Sequence, residues 1–352
     1  MQLSTSQLRA PVEVSRGDPN ARFVRMTTEP VSRLVVNLAV PTIISMLVTA
    51  LYNMADTYFV GKLSTAATGA VGVVFPLMTA IQVVGMTLGV GSGSCVARLL
   101  GRKDVSRANQ VVSTAFFTAL ACGGLMTLFG EIFSSPLMRL LGSTETILPY
   151  AKEYAAYILL GAPFVAASFV MNVNLRSEGS AVLAMIGLVS GAIINIAIDP
   201  LFIFAFRMGI AGAAAATVLS QLVSFLILLS YYIRRQSALR INFKNIRTDR
   251  SMHLQIFWSG LPTFFRLSLV TLSAAILNSV SGIYGDAAIA GMTIVNRITI
   301  FIGSAMIGFG QGFQPVAAFN YTAGLYNRVH QAFWFSIKVG FWGLFIYTVG
   351  AS

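Results

Sequence analysis

Charge is scarce in this chain. Of its 352 residues only 10% are Asp, Glu, Lys or Arg, against about 25% in a soluble globular protein. Acids are scarcer still, 12 against 24 Lys and Arg. With 56% hydrophobic residues and a mean hydropathy of +0.75, the chain has too little polar surface for a soluble enzyme. It is also too apolar to stay disordered. Cysteine occurs twice, at Cys95 and Cys122, both inside apolar segments. That pattern fits small buried residues rather than a disulfide or a metal site. His253 and His330 stand far apart, so no metal site is expected from them. The alternation of a membrane β-barrel is missing. Residues 1–30 lack the apolar stretch of a secretory signal. Gly85, Gly89, Gly91 and Gly93 lack the Gly-Lys-Ser/Thr ending of a nucleotide loop.

What is present is a series of nine apolar segments, each long enough for the roughly 20 residues of a membrane span. They cover 33–60, 67–97, 108–130, 150–173, 181–206, 209–233, 252–281, 286–313 and 331–350. The expected fold is an all-α polytopic membrane protein. Four parts are expected: a flexible polar tail over 1–30, six spans over 31–235, a basic linker over 236–251, and three spans over 252–352. Lys and Arg favour cytoplasmic loops. A cytoplasmic N-terminus puts seventeen of them inside, including Arg9, Arg98, Arg176, Arg240 and Arg328, and four outside: Lys62, Arg139, Lys152 and Arg207. This bias predicts a multi-pass protein of the cell (inner) membrane. It also accounts for the net charge of +12 without a nucleic-acid partner.

The chain repeats. With residues 41–98 laid over 262–319, eleven of 58 positions are identical, among them Pro41/Pro262, Gly61/Gly282, Gly89/Gly310 and Gly91/Gly312. Parallel repeats of this kind are a construction of secondary transporters. The first unit holds six spans and the second three, because the sequence ends at Ser352. The expectation is a fragment, a truncated reading frame, or a protein that a second chain completes.

Ionisable side chains inside a bilayer cost about 2.5–3.5 kcal/mol each on insertion scales, so each needs a reason. Asp56 and Asp199 are the two acids clearly within spans. Counting back from Lys62 and Arg207 puts them about 9 and 12 Å from the outer ends of their helices. Asn195 is one turn before Asp199 and shares its face. Thr217 lies at a similar depth on span 6, and Tyr52 and Asn53 sit one turn before Asp56. This set offers hard oxygens for a transient Na⁺, and a carboxylate pair that could share a proton. Pro200 removes a helix hydrogen bond beside Asp199. Arg266 and Arg297 also fall within spans, where snorkelling toward the surface is expected.

The stretch PTIISMLVTALYNMADTYFVG (41–61), the segment ARLLGRKD (97–104), NLRSEGS (174–180) and NIAIDPLFIF (195–204) together resemble transporters of the multidrug and toxic compound extrusion (MATE) family. The resemblance covers roughly residues 30–350 and is strongest in the first half. It implies two lobes of six helices around a central cavity, and export of small organic, often cationic, drugs in exchange for H⁺ or Na⁺, with no other cofactor and no enzymatic step. It implies that Asp56, Asn195, Asp199 and Thr217 form the cation or proton site, with Asn172 as a further polar residue beside Tyr52 and Asn53. The chain departs from the family pattern in lacking an acid on span 7, where Leu277 and Asn278 stand opposite Asp56, and in lacking the last three helices. The alternatives are a lipid-linked saccharide flippase of the same superfamily, a non-transporting remnant, and an intramembrane aspartyl protease. The protease would need a Gly-x-Gly-Asp context, and Asp199 sits in Ile-Ala-Ile-Asp-Pro.

Overall fold

The computed structural model describes residues 18–63, 65–246, 249–282 and 286–351. All regular structure among them is helical. A short helix α1 (Pro19–Thr28) leads into α2 (Val31–Gly61), α3 (Thr65–Gly101) and α4 (Val105–Ile132). A connecting helix α5 (Ser134–Leu140) precedes α6 (Leu148–Ser177), α7 (Ala181–Pro200) and α8 (Gly209–Ile233). After the linker come α9 (Arg250–Gly282), α10 (Asp286–Thr322) and α11 (Tyr326–Ala351). Among the described residues six helices, α2, α3, α4, α6, α7 with its extension, and α8, are long and apolar enough to cross a membrane. With no water in the bilayer core to bond the backbone, long apolar runs have to form helices. That is also why Pro41, Pro76, Pro163, Pro262 and Pro315 are tolerated inside them.

The helix bounds repeat at the interval read from the sequence. α2, α3 and α4 end or begin at Gly61, Thr65, Gly101 and Val105, and α9, α10 and α11 at Gly282, Asp286, Thr322 and Tyr326. Each position is offset by 221, the shift that aligns Pro41 with Pro262.

α6 is the axis of the first unit and packs against α3, α4, α7 and α8. Small residues bring these helices close. A side chain at Gly123 of α4 would meet the Cα of Pro163 of α6 at 2.5 Å, so the backbones touch. Between the units, α2 packs against α10 and α3 against α9. Here too the approach is close: a Cβ at Gly91 would meet the Ile256 carbonyl oxygen at 2.1 Å, and one at Gly312 the Cα of Ala39 at 2.5 Å. Gly91 and Gly312 are equivalent positions of the repeat, so the two contacts form a pseudo-twofold joint.

The buried apolar side chains fall into two clusters. One, at the end carrying α1 and the loops after α3, α6, α8 and α10, runs through both units, from Leu34, Val96, Val112 and Met171 to Ile256, Val316 and Phe319. The other, at the opposite end, is built among the described residues from the first unit, around Val60, Val74, Tyr154, Leu159, Ile203 and Ala213. Toward that end the described side chains of α9, among them Leu269, Val270, Leu272 and Ile276, are exposed.

Two expectations need correction. Residues 19–28 are not a flexible tail: Asp18 caps α1 by accepting from the Asn20 amide at 2.9 Å, and Met26 is buried. The basic linker is tied to α4. The Arg240 amide donates to Asn109 Oδ1 at 2.7 Å, and Ser113 both donates to the Arg240 carbonyl and accepts from the Asn242 amide. Arg176, counted among the loop charges, belongs to α6 and is 6% exposed. It donates to Gln311 of α10 across the joint, and that internal partner lets α6 continue past the apolar run. Both cysteines are free.

Candidate functional site

Asn195 and Asp199 lie one turn apart on the buried face of α7, both nearly inaccessible. Pro200 cannot donate its backbone nitrogen, and the helix widens directly after it into a π-helical stretch, Leu201–Ala205. α8 returns beside α7 and buries Thr217 against this pair. Asn195 Nδ2 donates to Asp199 Oδ1 at 3.2 Å and reaches Thr217 Oγ1 at 3.5 Å.

Asp56 approaches from α2, half-buried, close enough to Asp199 for the two charges to be coupled. Tyr52, one turn earlier, lines a small cavity together with Gln221 of α8. Tyr154, fully buried on α6, lies beside Thr217, with its hydroxyl directed at Met78 Sδ at 4.0 Å. The cavity, of about 40 Å³, lies between Tyr52, Gln82, Thr217 and Gln221. That is room for a few waters or a dehydrated ion, not for an organic molecule.

Three oxygens give this arrangement its chemistry. Asp56 Oδ1, Asn195 Oδ1 and Asp199 Oδ2 are each buried without a hydrogen-bond partner among the described residues. Unpaired buried oxygens of this kind are costly, and a cation or an added proton is what would satisfy them.

Two residues of the expected set are elsewhere. Asn172 is buried, but its Nδ2 donates to the Ala184 carbonyl at 2.8 Å. Ala184 is near the start of α7, about 22 Å along the helix from Asp199 at 1.5 Å per residue. Asn53 is exposed, because it is rotated away from the helix face that carries Tyr52 and Asp56. Tyr154 and Gln221 were not read from the sequence. Gln221 had a signal, since it follows Thr217 by one turn. Tyr154 had none, because only helix packing brings it there. Arg266 is exposed, and the side chains of Asn278 and Arg297 lie outside the described residues.

A family model, MatE, matches residues 41–201 and again residues 262–349, together well over half of the chain. The chain belongs to the MatE family. The two matched stretches of this MatE protein begin at the two prolines that anchor its internal repeat. Among curated proteins, the multidrug export protein MepA of Staphylococcus aureus (strain MSSA476) is 29% identical over 295 residues, 84% of this chain. MepA of Staphylococcus haemolyticus (strain JCSC1435) is 28% identical over 292 residues, 83% of the chain. The chain spans 65% of the length of these relatives. Among solved structures, a MOP superfamily transporter from Pyrococcus furiosus, described as having a binding pocket of reversed polarity, superposes with a TM-score of 0.85 at 30% identity. The match covers 91% of this chain and 71% of that one. An outward-facing multidrug resistance MATE transporter superposes with a TM-score of 0.84 at 29% identity, covering 92% and 73%. The MatE chain is therefore a multi-pass, all-α membrane protein of a transporter family.

Proposed function

We propose that this protein takes part in cation-coupled export of small organic, often cationic, drugs across the cell membrane, with its N-terminus and basic loops in the cytoplasm. The observation that carries the coupling is the group of three unpaired buried oxygens on Asp56, Asn195 and Asp199. Membership of a transporter family and similarity to multidrug export proteins support the cargo. The bias of Lys and Arg toward one set of loops supports the orientation.

Export against a gradient needs an ion whose binding favours one conformation over the other. Asp56 and Asp199 are the deep acids of the first unit, and the small cavity lined by their neighbours Tyr52 and Thr217 suits the size of an ion. A bound H⁺ or Na⁺ would cancel one of the pair's two negative charges and draw α2 toward α7 and α8. That changes which face of α2 is available to α10, its partner across the joint. The organic cargo would bind apart from this cavity, which is too small for it.

The test is export of a fluorescent cationic dye from loaded cells. Wild-type protein should export it, and collapsing the ion gradient should stop it. Asp199→Asn keeps the shape of the side chain but removes charge and titration, so export should fall at least a hundredfold at equal membrane abundance. Export at the wild-type rate by this variant would place coupling elsewhere, and absence of export by the wild type would overturn the cargo reading. Replacing Na⁺ by K⁺ at fixed pH separates the two ions.

A further inference from the structure

α1 crosses the joint between the two units. Its first half is fastened to the first unit. Arg22 pairs with the carboxylate of Glu178, at the end of α6, and donates to the Gln236 carbonyl at 2.7 Å. Glu178 is fully buried, and its second oxygen accepts from Ser237 Oγ at 2.8 Å and the Ala238 amide at 3.0 Å. Lys103, in the turn before α4, sits over the Phe23 ring at 4.5 Å.

The second half is fastened to the second unit. Asn320 of α10, fully buried, donates to the Met26 carbonyl at 3.1 Å. Arg328 of α11 donates to the Glu29 carbonyl at 2.5 Å and to Asn320 Oδ1 at 2.9 Å. Between these two sets of bonds α1 does not lie flat on the bundle. A cavity of about 690 Å³ separates Ala21, Arg22 and Met26 from Leu38, Leu183 and Ile186 of α2 and α7. Met26 is the one buried residue of α1. A helix of 10 residues is too short to persist on its own in water. Its two fastenings therefore hold it in place.

We propose that α1 is a strap that locks the two units together at this end, with Arg22–Glu178 as its pin on one side and Asn320 with Arg328 on the other. The repeat sharpens the assignment. Shifted by 221, α1 corresponds to residues 240–249, and that segment is tied to α4 of the first unit at Asn109 and Ser113. In the transport cycle the units have to part at this end, and the strap has to let go of one unit first. The proposal uses the transport reading only for the existence of two conformations, and its test reads conformation rather than export.

Ser94 Oγ of α3 accepts from Gln314 Nε2 of α10 at 2.9 Å across the joint. Cysteines at these two positions, with Cys95 and Cys122 replaced by alanine, report the closed joint through a short bifunctional thiol reagent. Arg22→Ala and Asn320→Ala, which loosen opposite ends of the strap, should each lower the cross-linking rate at least threefold in purified, monodisperse protein. Arg22→Lys, which keeps a charged donor for Glu178, should retain most of it. Trypsin cleavage after Arg25, a site that both alanine variants keep, should accelerate in the same two variants. Faster cleavage of α1 with an unchanged cross-linking rate would overturn the proposal, because the strap would be loose and the joint still closed. Unchanged cleavage and cross-linking in the Asn320→Ala variant would overturn it as well, since the bond to the second unit would then hold nothing.

Discussion

The two ends of this molecule are held by different means. At the end bearing α1 and most of the basic loops, the apolar core is continuous through both units, and glycine contacts between α2 and α10 and between α3 and α9 bring backbones together. At the other end the described core residues come from the first unit, and the acid pair sits beside that core. The joint and the ion site are therefore separated along the length of α2. This helix carries Ala39 at the joint and Asp56 at the site, 17 residues apart, about 26 Å at helical rise. α2 is the element through which an event at one end can reach the other.

That comparison can be broken most directly at the close contacts. Gly123→Leu would drive a side chain into the Pro163 backbone inside the first unit. Gly312→Leu would drive one into Ala39 across the joint. Overpacking costs about 1–3 kcal/mol and more where backbone is met. The first variant should lose most of its folded protein in a detergent thermal melt. The second should keep the melt of the first unit, lose Ser94–Gln314 cross-linking and lose export. A Gly312→Leu variant that cross-links normally would show that the joint is not tight.

The ion end is sharpened by Tyr154→Phe, which removes only the hydroxyl of a residue beside Thr217. Loss of one polar group beside the site is worth about 1 kcal/mol, so ion-dependent export should weaken about fivefold with no change in dye recognition. Asn172→Ala should act on stability instead. It removes the Asn172 Nδ2 bond to the Ala184 carbonyl, worth about 1 kcal/mol, and should lower the melting temperature while the ion dependence of export stays as in the wild type. A change of ion dependence would return Asn172 to the site. The smallest effect belongs to Asn53→Ala, an exposed position where substitution is worth within about 0.5 kcal/mol. Both melt and export should match the wild type.

The sequence by itself determined the helices. Apolar runs of membrane length have one way to satisfy their backbone in lipid, so all nine segments are helical, and the repeat is legible because Pro and Gly mark the same places twice. It also determined pairs on a single helix, Asn195 with Asp199 and Tyr52 with Asp56, because a spacing of four fixes a shared face. What it left open is which faces of different helices meet. Asn172 is as polar as Asn195, yet α7 meets it with the Ala184 carbonyl and not with Asp199. Tyr154 looked like one more aromatic near the end of a span and is carried to Thr217 by the packing of α6 on α8. Residues 19–28 are too polar and short to read as structure, and they become a helix only because Glu178, Asn320 and Arg328, distant in sequence, hold both of its ends. Local periodicity acts within one helix. Contacts between helices depend on how small residues and buried polar groups let whole surfaces fit, and that was decided by the tertiary structure.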